Sequence, residues 1–160
     1  MKKINIKTIY LVAVISIGLI CLAIGSTYAM FTTSAEINNP ITISSNLTSN
    51  DDTMETFEVE VSPSATVTKT INISSGTVSN VNYSVWYIND ISNIDIGVSS
   101  TSYTTAGTIS NANTTVTTKI SIRNNSSTTK TVTLGVALSK NSIVLASNMS
   151  LVPQKTLSNP

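Results

Sequence analysis

Histidine is absent from the 160 residues of this chain, and cysteine occurs only once, as Cys21. A protein without histidine lacks the side chain that most often acts as a general base, a zinc ligand or the partner of a catalytic serine. A single cysteine excludes an internal disulfide and a zinc site built from cysteines. We therefore predict a protein that is not an enzyme, with no catalytic residues, no metal site and no cofactor.

Charged residues are also scarce, at 11% of the chain, and they are unevenly placed. Three of the nine basic residues lie within the first seven positions and all eight acidic residues follow them, so the rest of the chain carries a net charge of −2. This part of the chain has no basic field for nucleic acid or anionic lipid. We predict no nucleic-acid partner.

One group of acidic residues stands out, at positions 51–60: Asp51, Asp52, Glu55, Glu58 and Glu60. Carboxylate oxygens are ligands that calcium prefers, but the spacing matches no calcium-binding loop. Charges on one face of a strand also prevent a sheet edge from pairing wrongly. We interpret the group as a solvated turn and strand face.

The chain begins like a secretory signal peptide. Lysines at positions 2, 3 and 7 precede an apolar run, Ile9 to Ile24, and small residues follow at 25–29. The run has 16 residues, fewer than the roughly 20 that a membrane-spanning helix needs. We predict a signal helix that contacts the membrane only through residues 8–24 and is removed by cleavage after Ala29. Thr27 supplies the second small side chain, and Met30 becomes the first mature residue.

The alternative is an uncleaved helix, lengthened by residues 28–31, that anchors the rest of the chain to a membrane. In both cases the remaining residues lie outside the cell. We predict a secreted or extracellular cell-surface protein.

The end of this leader also carries a family resemblance. Gly25-Ser26-Thr27-Tyr28-Ala29-Met30-Phe31 resembles the G-[GS]-T-[YWF]-A-x-F segment that closes signal peptides in the TasA/camelysin group of Gram-positive bacteria. The resemblance implies processing by a signal peptidase of the endoplasmic-reticulum type. It also implies an extracellular-matrix structural role, because that group includes secreted fibre-forming proteins. The metalloprotease activity described for camelysin-type members is not implied, because no His-Glu-x-x-His motif exists here.

Beyond the leader, short runs of alternating apolar and polar residues recur, and turn residues separate them every 8 to 12 positions or so. This spacing is typical of an all-β sandwich, and no long run has helical periodicity. We predict an immunoglobulin-like or jelly-roll sandwich of seven to nine strands. Residues 116–122 and 132–138 alternate most regularly, and the polar residues 123–128 between them predict an antiparallel hairpin.

The pattern divides the chain into four parts. Residues 1–29 are the signal peptide, and residues 30–50 form an arm with a first strand. Pro40 limits this strand to pairing on one edge, because proline has no backbone donor. Residues 51–153 form the sandwich, and residues 154–160 form a loose tail.

Residues 81–89 carry bulky side chains on both faces, which is typical of a central strand or of one that is covered on its second face. Trp86 lies on one face, and Tyr83 and Tyr87 lie on the other. These aromatic residues are either core or the wall of a binding groove, and Trp86 and Tyr103 are the candidate binding aromatics.

Two functions fit these observations. In the first, the protein is a structural component that self-associates, because the arm at 31–45, freed by cleavage, adds as a strand to the open sheet edge of a neighbour. In the second, it is a monomeric module whose loops bind glycan, peptide or wall polymer.

Overall fold

The computed structural model describes residues 35–44 and 52–157. The predicted signal peptide and the cleavage residues Thr27, Ala29 and Met30 lie outside these ranges. Within them, no helix is long enough and apolar enough to cross a membrane.

All regular structure in the described ranges is β-strand. Residues 35–44 and 52–157 form nine strands: β1 (Ala35–Ser44), β2 (Thr53–Val61), β3 (Thr66–Ser74), β4 (Val81–Ile88), β5 (Ile94–Val98), β6 (Ala106–Ile109), β7 (Thr115–Asn124), β8 (Lys130–Ser139) and β9 (Met149–Leu151). The prediction of an all-β protein with seven to nine strands is confirmed.

The strands form two sheets. One has four strands in the order β1-β3-β7-β5, and the other has five, with β2-β8-β4-β6 in one row and β9 also paired with β4. All strand pairs are antiparallel except β1 with β3. Strands that are consecutive in sequence, such as β1 and β2 or β2 and β3, lie in different sheets.

The core lies between the two sheets and is built by alternation along each strand. In β2, Val59 and Val61 are buried while Glu58 and Glu60 are exposed, as the period of two requires. The buried cluster is made mostly of β-branched residues, which suit a pleated surface. Its largest fully buried members from the four-stranded sheet are Ile43, Ile71, Ile73, Ile120 and Ile122, and those from the five-stranded sheet include Leu134 and Leu138.

The predicted hairpin of residues 116–122 and 132–138 is wrong. These residues form β7 and β8, which lie in different sheets, β7 between β3 and β5 and β8 between β2 and β4. The apolar faces of both strands are still buried, because each faces the core from its own sheet and the two strands need not be neighbours in one sheet. The side chain of Asn124 fixes the corner between the strands: its Nδ2 donates to the Thr128 carbonyl at 2.8 Å and to the Val61 carbonyl at 3.0 Å.

Strand β4 is central, as its two bulky faces predicted. It pairs with β8 along one side, and with β6 and then β9 along the other. Because β8 and β9 both run antiparallel to β4, the connection 140–148 must return along its length. The two ends of this connection are tied to β4: Asn82 Nδ2 donates to the Asn141 carbonyl, and the Asn89 amide donates to the Asn148 carbonyl, both at 3.0 Å.

Candidate functional site

Among the strands of residues 35–44 and 52–157, β1 forms one edge of the four-stranded sheet and pairs with β3 alone. The pairing is parallel, from Ala35 opposite Val67 to Ser44 opposite Ser74. The arm that was predicted at residues 30–50 therefore contributes a full edge strand to the sandwich.

The register of β1 shifts between Ile37, opposite Lys69, and Ile41, opposite Ile71, so the three residues 38–40 of β1 occupy the space of one residue of β3. Pro40 lies within this irregular stretch and is exposed. A proline has no N–H to give to a ladder and is tolerated at an edge or a bulge. Pro40 lies both in an edge strand and in an irregular stretch of that strand. Its position is consistent with the sequence prediction that this strand pairs on one edge.

The second half of β1 is anchored by the core. Ile43 is 1% exposed, lies opposite Ile73 and belongs to the inter-sheet cluster, and Ile41 packs against that cluster. Thr42, between them, is exposed. If β1 left, Ile71 and Ile73 of β3 would lose the apolar residues that lie opposite them in β1, together with one row of backbone partners.

The other sheet edges differ from β1 in how they are protected. At the edge of the five-stranded sheet, β2 carries three exposed glutamates, Glu55, Glu58 and Glu60. Like charges brought into register repel, so this edge disfavours pairing with a copy of itself. No three metal-ligating side chains converge in residues 35–44 and 52–157.

At the edge of the four-stranded sheet farthest from β1, β5 is covered by residues 155–157. Val98 donates its amide to the Lys155 carbonyl at 2.9 Å and accepts a hydrogen bond from the Leu157 amide at 3.1 Å. Thr156 forms a parallel β-bridge with Val98. The segment predicted as a loose tail is therefore hydrogen-bonded at 155–157, because it supplies backbone partners to an edge strand that has none on this side.

The two candidate binding aromatics are placed differently. Trp86 is 1% exposed and lies on the face of β4 that is turned away from the inter-sheet core, where its ring covers Gly135 of β8. Tyr103 is half-buried in the β5–β6 connection and packs against the inter-sheet core. The structure does not bring these two side chains to one surface.

Three residues that the sequence analysis did not single out as a site hold the end of the chain. Thr105 donates its hydroxyl to the Val152 carbonyl at 2.9 Å, and Gln154 Oε1 accepts a hydrogen bond from the Thr105 amide at 3.2 Å. Gly97 leaves room for the backbone of Lys155. A glycine isolated within an alternating strand is a sequence signal for such a close approach.

Comparisons with known proteins give no family. No family model matches the chain, and no curated protein matches its sequence. Among solved structures, the chain resembles the crystal structure of Aeromonas hydrophila PliG, a periplasmic lysozyme inhibitor of g-type lysozyme, with a TM-score of 0.30 and 9% identity over 62% of this chain and 96% of that one. A likeness at this level carries no argument about function.

Proposed function

We propose that this chain is a secreted, non-catalytic structural protein of the cell surface or extracellular matrix, similar to the TasA/camelysin group, and that it assembles by exchange of β1. One observation supports this most: in the part of the chain that the structure describes, β1 is an edge strand with a single neighbour, and it begins six residues after the predicted cleavage position at Ala29.

The exchange follows from how β1 is held. Its contacts are the ladder to β3 and the burial of Ile41 and Ile43, and none of them depends on which copy supplies the strand. Eight residues, 45–52, join β1 to β2, and a chain of this length spans up to roughly 28 Å. A copy that receives β1 from one neighbour and gives its own to the next propagates head to tail, which yields a filament.

The test compares two charge substitutions at adjacent positions of β1 in the mature chain, residues 30–160. Ile43→Asp places a carboxylate in the core position and is expected to prevent β1 from docking, so filaments seen by electron microscopy disappear. Thr42→Asp adds the same charge at an exposed position and is expected to preserve them. Filaments from the Ile43→Asp chain, or from a chain that lacks residues 30–44, would refute the exchange.

Export and cleavage are tested separately by the mass of the protein recovered from culture medium. Cleavage after Ala29 predicts a product that starts at Met30. An uncleaved chain in the membrane fraction would instead support the anchored alternative. A wild-type chain that stays monomeric and binds wall polymer would favour the binding-module hypothesis.

A further inference from the structure

The indole ring of Trp86 lies flat on the outer face of the five-stranded sheet, the face turned away from the core. A Cβ built on Gly135 would lie 2.2 Å from Cζ2, 2.4 Å from Cε2 and 2.8 Å from Cη2 of the ring. Such similar distances to three neighbouring ring atoms place this Cβ over the face of the ring and not at its edge. One face of the indole is therefore stacked on the backbone of β8, and the other face points away from the sheet.

The connection between β8 and β9 crosses this outer face. The two strands pair with opposite sides of β4, so the chain has to cross β4 between them, and the core already fills the inner face. Ile143 and Val144 of the connection line a cleft together with Met54 of β2 and Ala137 of β8, which lie opposite each other on the same face as Trp86. The connection therefore covers the outward face of the indole, and the side chain is only 1% exposed.

This cover is held mainly at its two ends, where the carbonyls of Asn141 and Asn148 accept hydrogen bonds from β4 and the residue that follows it. Among the residues that the structure describes, none of the hydrogen bonds joins positions 142–147 to the sheet. None of the nine residues 140–148 is buried, and Val144 is 85% exposed. A segment with so few buried contacts opens at a lower free energy than the sheet beneath it.

The closed cover also leaves a polar atom unsatisfied. Nε1 of Trp86 is buried and, within residues 35–44 and 52–157, has no hydrogen-bond partner. A buried tryptophan usually finds an acceptor for this N–H, and leaving it without one costs free energy. An acceptor oxygen that replaced the cover over the ring would remove this cost.

The surroundings of the ring are uncharged. Thr56 of β2 lies opposite Gly135 and is exposed, and Ser84 lies two positions before Trp86 on the same face of β4. On the other side of β4, Leu151 lies opposite Trp86 and is 44% exposed. The ring therefore forms part of an apolar floor that is flanked by hydroxyl groups, a combination typical of small-molecule sites.

We propose that the connection 140–148 is a flap, and that the outward face of Trp86 beneath it is a binding site for one sugar ring of an extracellular glycan. A pyranose has a face of C–H groups that stacks on an indole, and its hydroxyl oxygens accept hydrogen bonds from Nε1 and from the neighbouring hydroxyl groups. The site lies on the sheet that does not contain β1, so it does not depend on β1 exchange.

The first part of the test measures opening of the flap in the folded mature chain, residues 30–160. Trp86 is the only tryptophan, so its indole N–H gives a single resonance in a sample labelled with nitrogen-15. We expect this N–H to exchange with solvent faster, after correction for intrinsic rates, than the amides at the centre of β8, which are exposed only when the sheet opens. Exchange no faster than that of these amides would refute the flap.

The second part follows Trp86 fluorescence during titration with β-linked trisaccharides of glucose and of N-acetylglucosamine. Ile143→Ser with Leu145→Ser removes two half-buried apolar side chains of the flap. Because apparent affinity scales with the open fraction, we expect indole exchange and sugar affinity to rise by the same factor, about tenfold. Val144→Ser makes the same change at an exposed position between them and should leave both unchanged.

If the double variant does not fold, Leu145→Ala replaces it. Equal affinity in the wild-type and loosened chains, or no binding of either trisaccharide, would refute the proposal. Binding of an uncharged tripeptide in place of the sugars would refute the assignment to glycan. Filaments of the same variants, seen by electron microscopy, report β1 exchange separately, so a failure of this proposal is distinguishable from a failure of the proposed function.

Discussion

Substitution of Gly135 by alanine is expected to be one of the most damaging small changes in the protein. An added Cβ would lie 2.2 Å from Cζ2 and 2.4 Å from Cε2 of Trp86, so the indole ring has to move. Trp86 is 1% exposed, so a ring displaced by the new Cβ must push its neighbours aside or move into solvent. Overpacking of this kind costs about 1–3 kcal/mol, which corresponds to a fall in Tm of roughly 5–15 °C for a domain of this size.

Trp86 also reports the result, because it is the only tryptophan in the chain. Urea unfolding followed by its fluorescence gives the free energy of unfolding, and the emission maximum of the folded Gly135→Ala chain should shift to the red as the indole leaves its site. Gly107→Ala is the matched control, since its Cβ would come no closer than 3.1 Å to Tyr83 and the position is exposed. Equal stability of wild type and Gly135→Ala would refute the argument that Trp86 is held against β8.

Three further substitutions are predicted from individual contacts, each measured by the same denaturation assay. Asn124→Ala removes a fully buried amide that serves several backbone partners between β7 and β8, and should cost at least about 2 kcal/mol; a smaller loss would mean that water replaces it. Thr105→Val keeps the shape but leaves the Val152 carbonyl without its donor, at about 1–2 kcal/mol, and a neutral result would contradict this bond. Asp95→Asn should change stability by less than about 1 kcal/mol, because the ion pair with Lys155 is about half exposed, whereas a large loss would show that the pair is shielded.

The successes and failures of the sequence predictions have a common cause. In β2 and β4, the sequence indicates which side chains share a face, because successive side chains point to opposite faces whichever strand lies alongside. The identity of that partner is not local. The pattern of β7 and β8 fits a hairpin as well as it fits two facing sheets, and only the packing of both strands with β2, β3, β4 and β5 distinguishes the two arrangements.

The same distinction between local properties and long-range contacts applies to the candidate sites. Pro40 indicated an edge strand because a missing N–H limits pairing wherever the strand is placed. The sequence left Trp86 either as core or as the wall of a binding groove, and its burial against Gly135 depends on the pairing of β4 with β8. The close approach of the backbone to Gly97 depends on Lys155, which lies 58 positions away in the chain.

The amino-acid sequence by itself determined that this is an all-β protein without the side chains that enzymes most often use, because strand periodicity and residue content are properties of the chain alone. The tertiary structure decided which strands share a sheet, which edges stay open and which edge the chain's own end covers. These depend on contacts between residues far apart in sequence, where many pairings satisfy the same local pattern and only close packing of the whole core selects one.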